Sequence, residues 1–280
     1  MSKTKMQPLN KEIQPATKTE NESLSAASCL LPSAYCTIAG IDINNLSQDE
    51  AIENIGRLIA KNEPHYMVVV NAAKVVTATR DSELKRIISN ADLVTADGMS
   101  VVWASRLFGR PLKERVTGID LFARLIATAA AKNLRVYFLG ARDEAVKKVV
   151  EMLKTQHPTL QVAGSHHGYF TDSENPAIVE DIKSSRADLL FVAMGSPKQE
   201  KWIAANVEKT GARFALGVGG SFDHLSGAVR RAPLWMQNAG LEWLHRLMSE
   251  PRRMWRRYLI GNSQFIWVVV KQFFSRKSRA

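Results

Sequence analysis

The sequence predicts an α/β fold: a Rossmann-like, mostly parallel sheet with helices on both faces, followed by a basic helical appendage. Three observations predict it. From Ile38 onward, short apolar runs rich in β-branched residues alternate with longer amphipathic stretches. The central runs are nearly continuous in apolar residues, the pattern of strands covered on both faces. After position 231 the pattern turns helical and crowds with Trp and Arg.

The elements follow in order. Residues 1–33 are rich in Lys, Thr, Glu, Ser and Asn without an apolar period, and read as a disordered tail. Residues 66–71 (YMVVVN) read as a buried strand and 72–89 as one helix. A second strand spans 91–97 and ends in Asp97-Gly98. A helix over 119–132, a strand over 134–140 and a helix over 144–155 follow, then a short strand at 160–163. A helix at 175–185, a strand at 187–194, a helix at 199–208 and a strand at 212–218 complete the alternation. Strand–helix alternation implies right-handed βαβ units and a parallel sheet. The domain reading is a tail at 1–33, an α/β domain at 34–230 and a helical, membrane-associating appendage at 231–280, within which Pro251 suits a helix start.

Charge is unevenly placed. Of the net +11, the last 51 residues carry +9, from eleven Arg or Lys and the two acids Glu242 and Glu250. Such segregation implies an anionic partner for the C-terminal segment: nucleic acid, anionic lipid or a phosphate-bearing substrate. No apolar run reaches the length of a membrane span; the longest candidate, Phe265 to Val270, stops at Lys271. The N-terminus lacks a secretory pattern. Cys29 and Cys36 form no CxxC and have no nearby His, so a disulfide framework is not expected and a reducing compartment is the default.

The chemistry is expected at strand ends, because open α/β sheets bind ligands just beyond the carboxyl ends of their strands. Asn71, Asp97-Gly98, Gly140, Gly195, Gly217 and Gly219 stand at such ends. Glycines there let backbone approach a nucleotide diphosphate, which helix N-termini favour. Gly-x-Gly-x-x-Gly after the first strand is absent, as is Gly-x-x-x-x-Gly-Lys-Ser/Thr, which argues against dehydrogenase and P-loop readings. Asp97 is placed to take a proton from a hydroxyl; it equally suits the N-cap of the following helix. Arg115 suits a phosphate or a surface ion pair. Gln199 suits a sugar or diphosphate contact, or an exposed helix position. His166-His167 is the one paired histidine, but neighbours on a strand face opposite ways, so no metal site is expected. No Asp-x-Asp occurs, so Arg and backbone N–H groups would have to stabilise a departing diphosphate.

Six blocks carry a family likeness: 95–103 (TADGMSVVW), 114–121 (ERVTGIDL), 138–141 (FLGA), 195–202 (GSPKQEKW), 217–223 (GVGGSFD) and the set RAP, LEWLHRL and EPRR from 231 to 253. In unbroken order from about Ile38 to Leu259, they resemble the WecG/TagA/CpsF glycosyltransferases. The resemblance implies inverting, metal-independent sugar transfer, without a cofactor, from a UDP-sugar donor to a polyprenyl-diphosphate-linked acceptor. It places the enzyme peripherally on the cytoplasmic face of the inner membrane. It puts the base on Asp97 and other active-site residues on Asn71, Arg115 and Gln199. Nucleotide contacts would include Tyr169 and Asp223. Arg246, Arg253 and Arg256 would close over the diphosphate at an anionic membrane surface, and Arg231 joins the substrate-binding set with the strand-end glycines.

One departure bears on the donor. Members that use N-acetylmannosamine tend to carry Thr two residues before the Asn, where this chain has Val69. That leans the reading toward UDP-glucose and exopolysaccharide synthesis, with an N-acetylmannosamine-type transferase as the alternative. A nucleic-acid-binding protein and a non-catalytic scaffold are the readings of other classes. The strand-end cluster argues against the first, so no nucleic-acid partner is expected; intact Asp97, Arg115 and Gln199 argue against the second. A homo-oligomer is left open.

Overall fold

A computed structural model describes residues 35–222, 232–233, 235–236, 240–249, 251–255 and 259–277, the side chains of 253, 254, 276 and 277 excepted. The tail assigned to 1–33 lies outside this range.

The chain opens with a hairpin, β1 (Tyr35–Ile38) and β2 (Ile41–Asn44), turned at Ala39-Gly40. Helix α1 (Gln48–Ala60) starts in a capping box: Ser47 accepts from the Glu50 N–H, and Glu50 accepts from the Ser47 N–H. Then come β3 (His65–Val70), α2 (Ala72–Ala78), α3 (Ser82–Ser89), β4 (Leu93–Ala96), α4 (Met99–Leu107) and α5 (Gly118–Lys132). β5 (Arg135–Gly140), α6 (Asp143–Gln156), β6 (Gln161–His166), α7 (Asn175–Ser185), β7 (Leu189–Ala193), α8 (Lys198–Thr210) and β8 (Phe214–Gly217) complete the alternation. Helices α9 (Glu242–Ser249), α10 (Pro251–Trp255) and α11 (Gly261–Lys277) form the C-terminal segment.

The six strands β3 to β8 form one parallel sheet in the order β4-β3-β8-β7-β5-β6. Alternation along each strand sorts the core. On one face, Met67 and Val69 of β3, Phe138 of β5 and Phe191 of β7 pack with α1, α5 and α6. On the other, Val68 and Val70 meet the hairpin, α2, α4 and α11, while Leu139, Leu190 and Val192 meet α7 and α8. Phe122, Phe138, Phe191 and Phe222 form an aromatic centre with ring centroids 4.6 to 6.3 Å apart. The α/β class and helices on both faces are as the sequence predicts.

Two local differences, and the seat of the last helix, have physical causes. The helix expected over 72–89 breaks at 79–81, where Asp81 accepts from the Leu84 N–H at 2.9 Å and caps a second helix. β6 runs on to His166 because Gly164 lets it pass under Tyr137; a Cβ there would lie 2.5 Å from the Tyr137 ring. The last helix packs on the sheet domain. Phe265 and Val269 of α11 are buried in the core shared with Val68 and Val70. Gln272 clamps α11 to the hairpin, accepting from the Ala39 N–H at 2.7 Å and donating to the Thr37 carbonyl at 2.9 Å.

Candidate active site

The carboxyl ends of β3, β4, β7 and β8 open into one cavity of about 810 Å³. Asn71, Asp97, Gly98, Arg115, Gly195, Gln199, Gly217, Gly219 and Arg246 all line it. Sequence positions separated by up to 175 residues therefore converge, as the strand-end reading expects. Helices α4, α5 and α8 also begin at this cavity, with Met99, Gly118 and Gln199 in its wall. Their N-terminal N–H groups and partial positive charge favour an anion there.

Asp97 follows β4, and its own N–H donates to the Val70 carbonyl at 2.8 Å. It does not cap α4. Gly98 occupies the N-cap position, with no side-chain cap bond. The Asp97 carboxylate instead turns to α5, where Oδ1 receives a long contact from the Gly118 N–H at 3.4 Å. Beside it, Val116 N–H donates to the Ala96 carbonyl at 2.8 Å, which brings Arg115 to the end of β4. Arg115 Nη1 donates to Glu242 Oε2 of α9 at 3.0 Å, a partly buried pair. Thus Arg115 is held by a carboxylate from the C-terminal segment, in a partly buried pair and not an open surface one. Asn71 is the cap of α2: its Oδ1 accepts from the Lys74 N–H at 3.0 Å.

Gln199 is only 3% exposed, so the exposed-helix alternative is overturned. Its Oε1 accepts from the Gly219 N–H at 3.0 Å, and its Nε2 donates to Glu200 Oε1 at 2.9 Å. Gly217 is needed for this approach, since a Cβ there would lie 2.5 Å from Gln199 Nε2. Gln199 thus holds the β8 turn while its side chain lines the cavity.

Sequence reasoning missed the pair beneath it. Lys74 Nζ meets Glu200 Oε1 at 2.6 Å and the Val69 carbonyl at 2.8 Å, with both side chains buried. Burial pushes the Glu200 carboxyl up, but the Lys74 charge and hydrogen bond outweigh it and hold the group below its ordinary value. The signal was weak: Lys74 is one Lys in an amphipathic stretch, and only the α2–α8 contact reveals its partner.

Not every expected residue lines the cavity. Gly140 and Tyr169 are outside its wall. Gly140 has φ +137°, and a Cβ would meet the Ala193 backbone at 2.4 Å, so close strand packing already requires it. Tyr169 is 72% exposed. Asp223, Arg231 and Arg256 lie outside the described residues, as does the side chain of Arg253. His166 and His167 have ring centroids 4.4 Å apart, and His166 Nδ1 lies 2.9 Å from the His167 carbonyl oxygen.

A sequence profile of the Glycosyl transferase WecG/TagA/CpsF family matches residues 36–279. A relative from Bacillus spizizenii is 36% identical over 211 residues, covering 75% of this chain and 80% of its own. One from Bacillus subtilis strain 168 is 32% identical, covering 80% and 90%. One from Staphylococcus aureus strain MW2 is 32% identical, covering 80% and 88%. All three are named N-acetylglucosaminyldiphosphoundecaprenol N-acetyl-beta-D-mannosaminyltransferase. With a match across nearly the whole α/β body and the C-terminal helices, the chain belongs to the WecG/TagA/CpsF family of glycosyltransferases.

Proposed function

We propose that the chain transfers an N-acetylmannosaminyl group from its UDP donor to a saccharide carried on undecaprenyl diphosphate, with Asp97 as general base. The observation that carries the reading is the meeting of the Asp97 carboxylate with three helix N-termini, Arg115 and Arg246 in one cavity. In the proposed step Asp97 takes the proton of an acceptor hydroxyl. The hydroxyl oxygen bonds to the anomeric carbon as the bond from that carbon to the diphosphate breaks, which inverts the centre. The electron pair leaves with UDP, whose growing charge faces Arg115, Arg246 and the N–H groups of α4, α5 and α8.

The donor follows from the relatives' names, which favour N-acetylmannosamine over the glucose toward which Val69 leans. Val69 does line the cavity, so the missing hydroxyl is a feature of the site. A single position in the wall weighs less than the similarity along four-fifths of the chain.

The proposed location is a membrane surface, reached peripherally. Among the described residues, no helix is long and apolar enough to cross a bilayer. Ile266, Trp267, Val270 and Phe274 form an exposed apolar stripe on α11, and the surrounding segment carries most of the net charge. Exposed apolar side chains beside basic ones suit contact with an anionic membrane surface.

The test is Asp97→Asn, assayed on a synthetic polyprenyl-diphosphate-linked N-acetylglucosamine with a panel of UDP-sugars and read by mass. Turnover should drop about 10²- to 10⁴-fold while UDP still binds. Turnover near that of the unaltered chain would remove Asp97 from the role; turnover with UDP-glucose alone would return the donor to glucose.

A further inference from the structure

The cavity has two chemically different ends. Asp97, Asn71 and Arg115 line one. Apolar side chains of α4 and α11 form another part of the wall of the same continuous space, its apolar limb. Met99, Trp103 and Leu107 occupy successive turns of α4, at i, i+4 and i+8, and so share one face. Ile266 and Val270, one turn apart, face the same limb from α11, with Phe265 and Val269 buried beneath them.

These limb residues are not simply core. Trp103 is 50% exposed, Leu107 49% and Ile266 61%. Large apolar side chains left half in water along a groove mark a surface that something apolar covers. A nucleobase or a sugar face can stack on Trp103, but neither uses the aliphatic row of Met99, Leu107, Ile266 and Val270 around it. The relatives' names supply an acceptor with both characters, a saccharide on diphosphate followed by a polyprenyl chain.

We propose that the limb between α4 and α11 seats the first isoprene units of the acceptor's polyprenyl chain. The proposal rests on the lipid-linked acceptor proposed above and adds where the lipid lies. Three features favour that occupant. The limb is continuous with the end that holds Asp97, so a saccharide there and a chain in the limb belong to one molecule. From Met99 to Leu107, α4 rises about 12 Å, the length of a few isoprene units. The far rim of the limb, Ile266 and Val270, merges with the outward stripe of Trp267 and Phe274 on α11. A chain leaving the limb along that stripe would enter a bilayer without crossing water.

The experiment uses the full chain in detergent and a benzophenone-bearing farnesyl diphosphate. After irradiation, mass spectrometry should find adducts on the peptides that contain 99–107 and 261–277, and unlabelled farnesyl diphosphate should compete. Trp103→Gln and Leu107→Gln should each lower that labelling about tenfold, the scale of one lost apolar side-chain contact. Both positions are half exposed, so thermal melting should show the fold retained. Adducts elsewhere, labelling unchanged in both variants, or crosslinks only between copies of the chain would overturn the proposal. Turnover of the synthetic acceptor is measured on the same protein. Label in the limb without turnover sinks the reaction and leaves the groove; turnover with label elsewhere sinks the groove and leaves the reaction.

Discussion

Lys74→Met tests the floor of the cavity. Methionine keeps an unbranched stem of similar length but removes Nζ. Two contacts go: 2.6 Å to Glu200 Oε1 and 2.8 Å to the Val69 carbonyl. What remains is a Glu200 carboxylate only 3% exposed, hydrogen-bonded to Gln199 but without its countercharge. Breaking a buried pair from one side costs about 3–5 kcal/mol, because the survivor is left charged and desolvated. For a chain of this size that lowers the melting temperature on the order of 10 °C. The pH dependence carries the sign. In the unaltered chain Glu200 is held below its ordinary value of 4.5, so its stabilisation is present above that pH and is lost as pH falls through the lowered value. In the variant, burial, the largest effect, is opposed only by the hydrogen bonds from Gln199 and Ser196, and it raises Glu200. The folded state then binds a proton that the unfolded chain does not, so its stability rises as pH falls from 7 toward 5. Urea unfolding at pH 7 and pH 5 reads both effects. A penalty under about 1 kcal/mol at pH 7, or one that fails to shrink at pH 5, would refute the ion-pair account.

Two further outcomes are expected. Glu242→Gln removes the carboxylate that Arg115 holds at 3.0 Å, which competes with a diphosphate for the same guanidinium. UDP should bind roughly two- to fivefold tighter by calorimetry, since a partly exposed pair is worth little more; weaker binding would mean that Glu242 orders Arg115 for the ligand. Binding of the full chain to vesicles with anionic headgroups should weaken as salt rises from low ionic strength to 0.5 M, and Trp267→Gln should weaken it at every salt concentration. Binding that ignores both changes would remove the C-terminal segment from membrane attachment.

The sheet was legible because its signal is local and repeated. Apolar runs such as 67–70 and 189–193 are buried along their whole length, as central strands covered on both faces are. Other elements carried signals that need closer reading. Ser47 and Glu50 spell a capping box for α1, and Asp81 marks the break before α3. The hairpin is too short for its alternation to stand out, and it gains order from outside: Asn44 accepts from the Val94 N–H at 2.8 Å. The site was legible as a set of strand ends, less so as individual roles. Asp97 could be a cap or a base on position alone; the geometry removes the cap, because Gly98 stands there instead. Gln199 could be read as an exposed helix residue because sequence shows its place on the helix and not its burial. Its partners, Gly219 and Glu200, become visible only when β8 and α8 are brought together.

Helix α11 shows why the C-terminal charge could not be interpreted by composition. Its period separates two jobs around one axis. Phe265, Val269 and Gln272 fall on one side, where the first two enter the core and the third holds the hairpin. Ile266, Val270 and Phe274 fall on the neighbouring stripe, where the first two also wall the cavity. A lipid surface that pulls on the outer stripe therefore acts on a helix fixed to the same core that carries β3 and Asn71. Glu242 adds a second tie, from α9 to Arg115 beside Asp97. The basic segment is thus joined to the cavity at two points, so removing it would alter the cavity wall as well as any membrane contact. Point substitutions on the outer stripe, at Trp267 or Phe274, are the changes that separate the two.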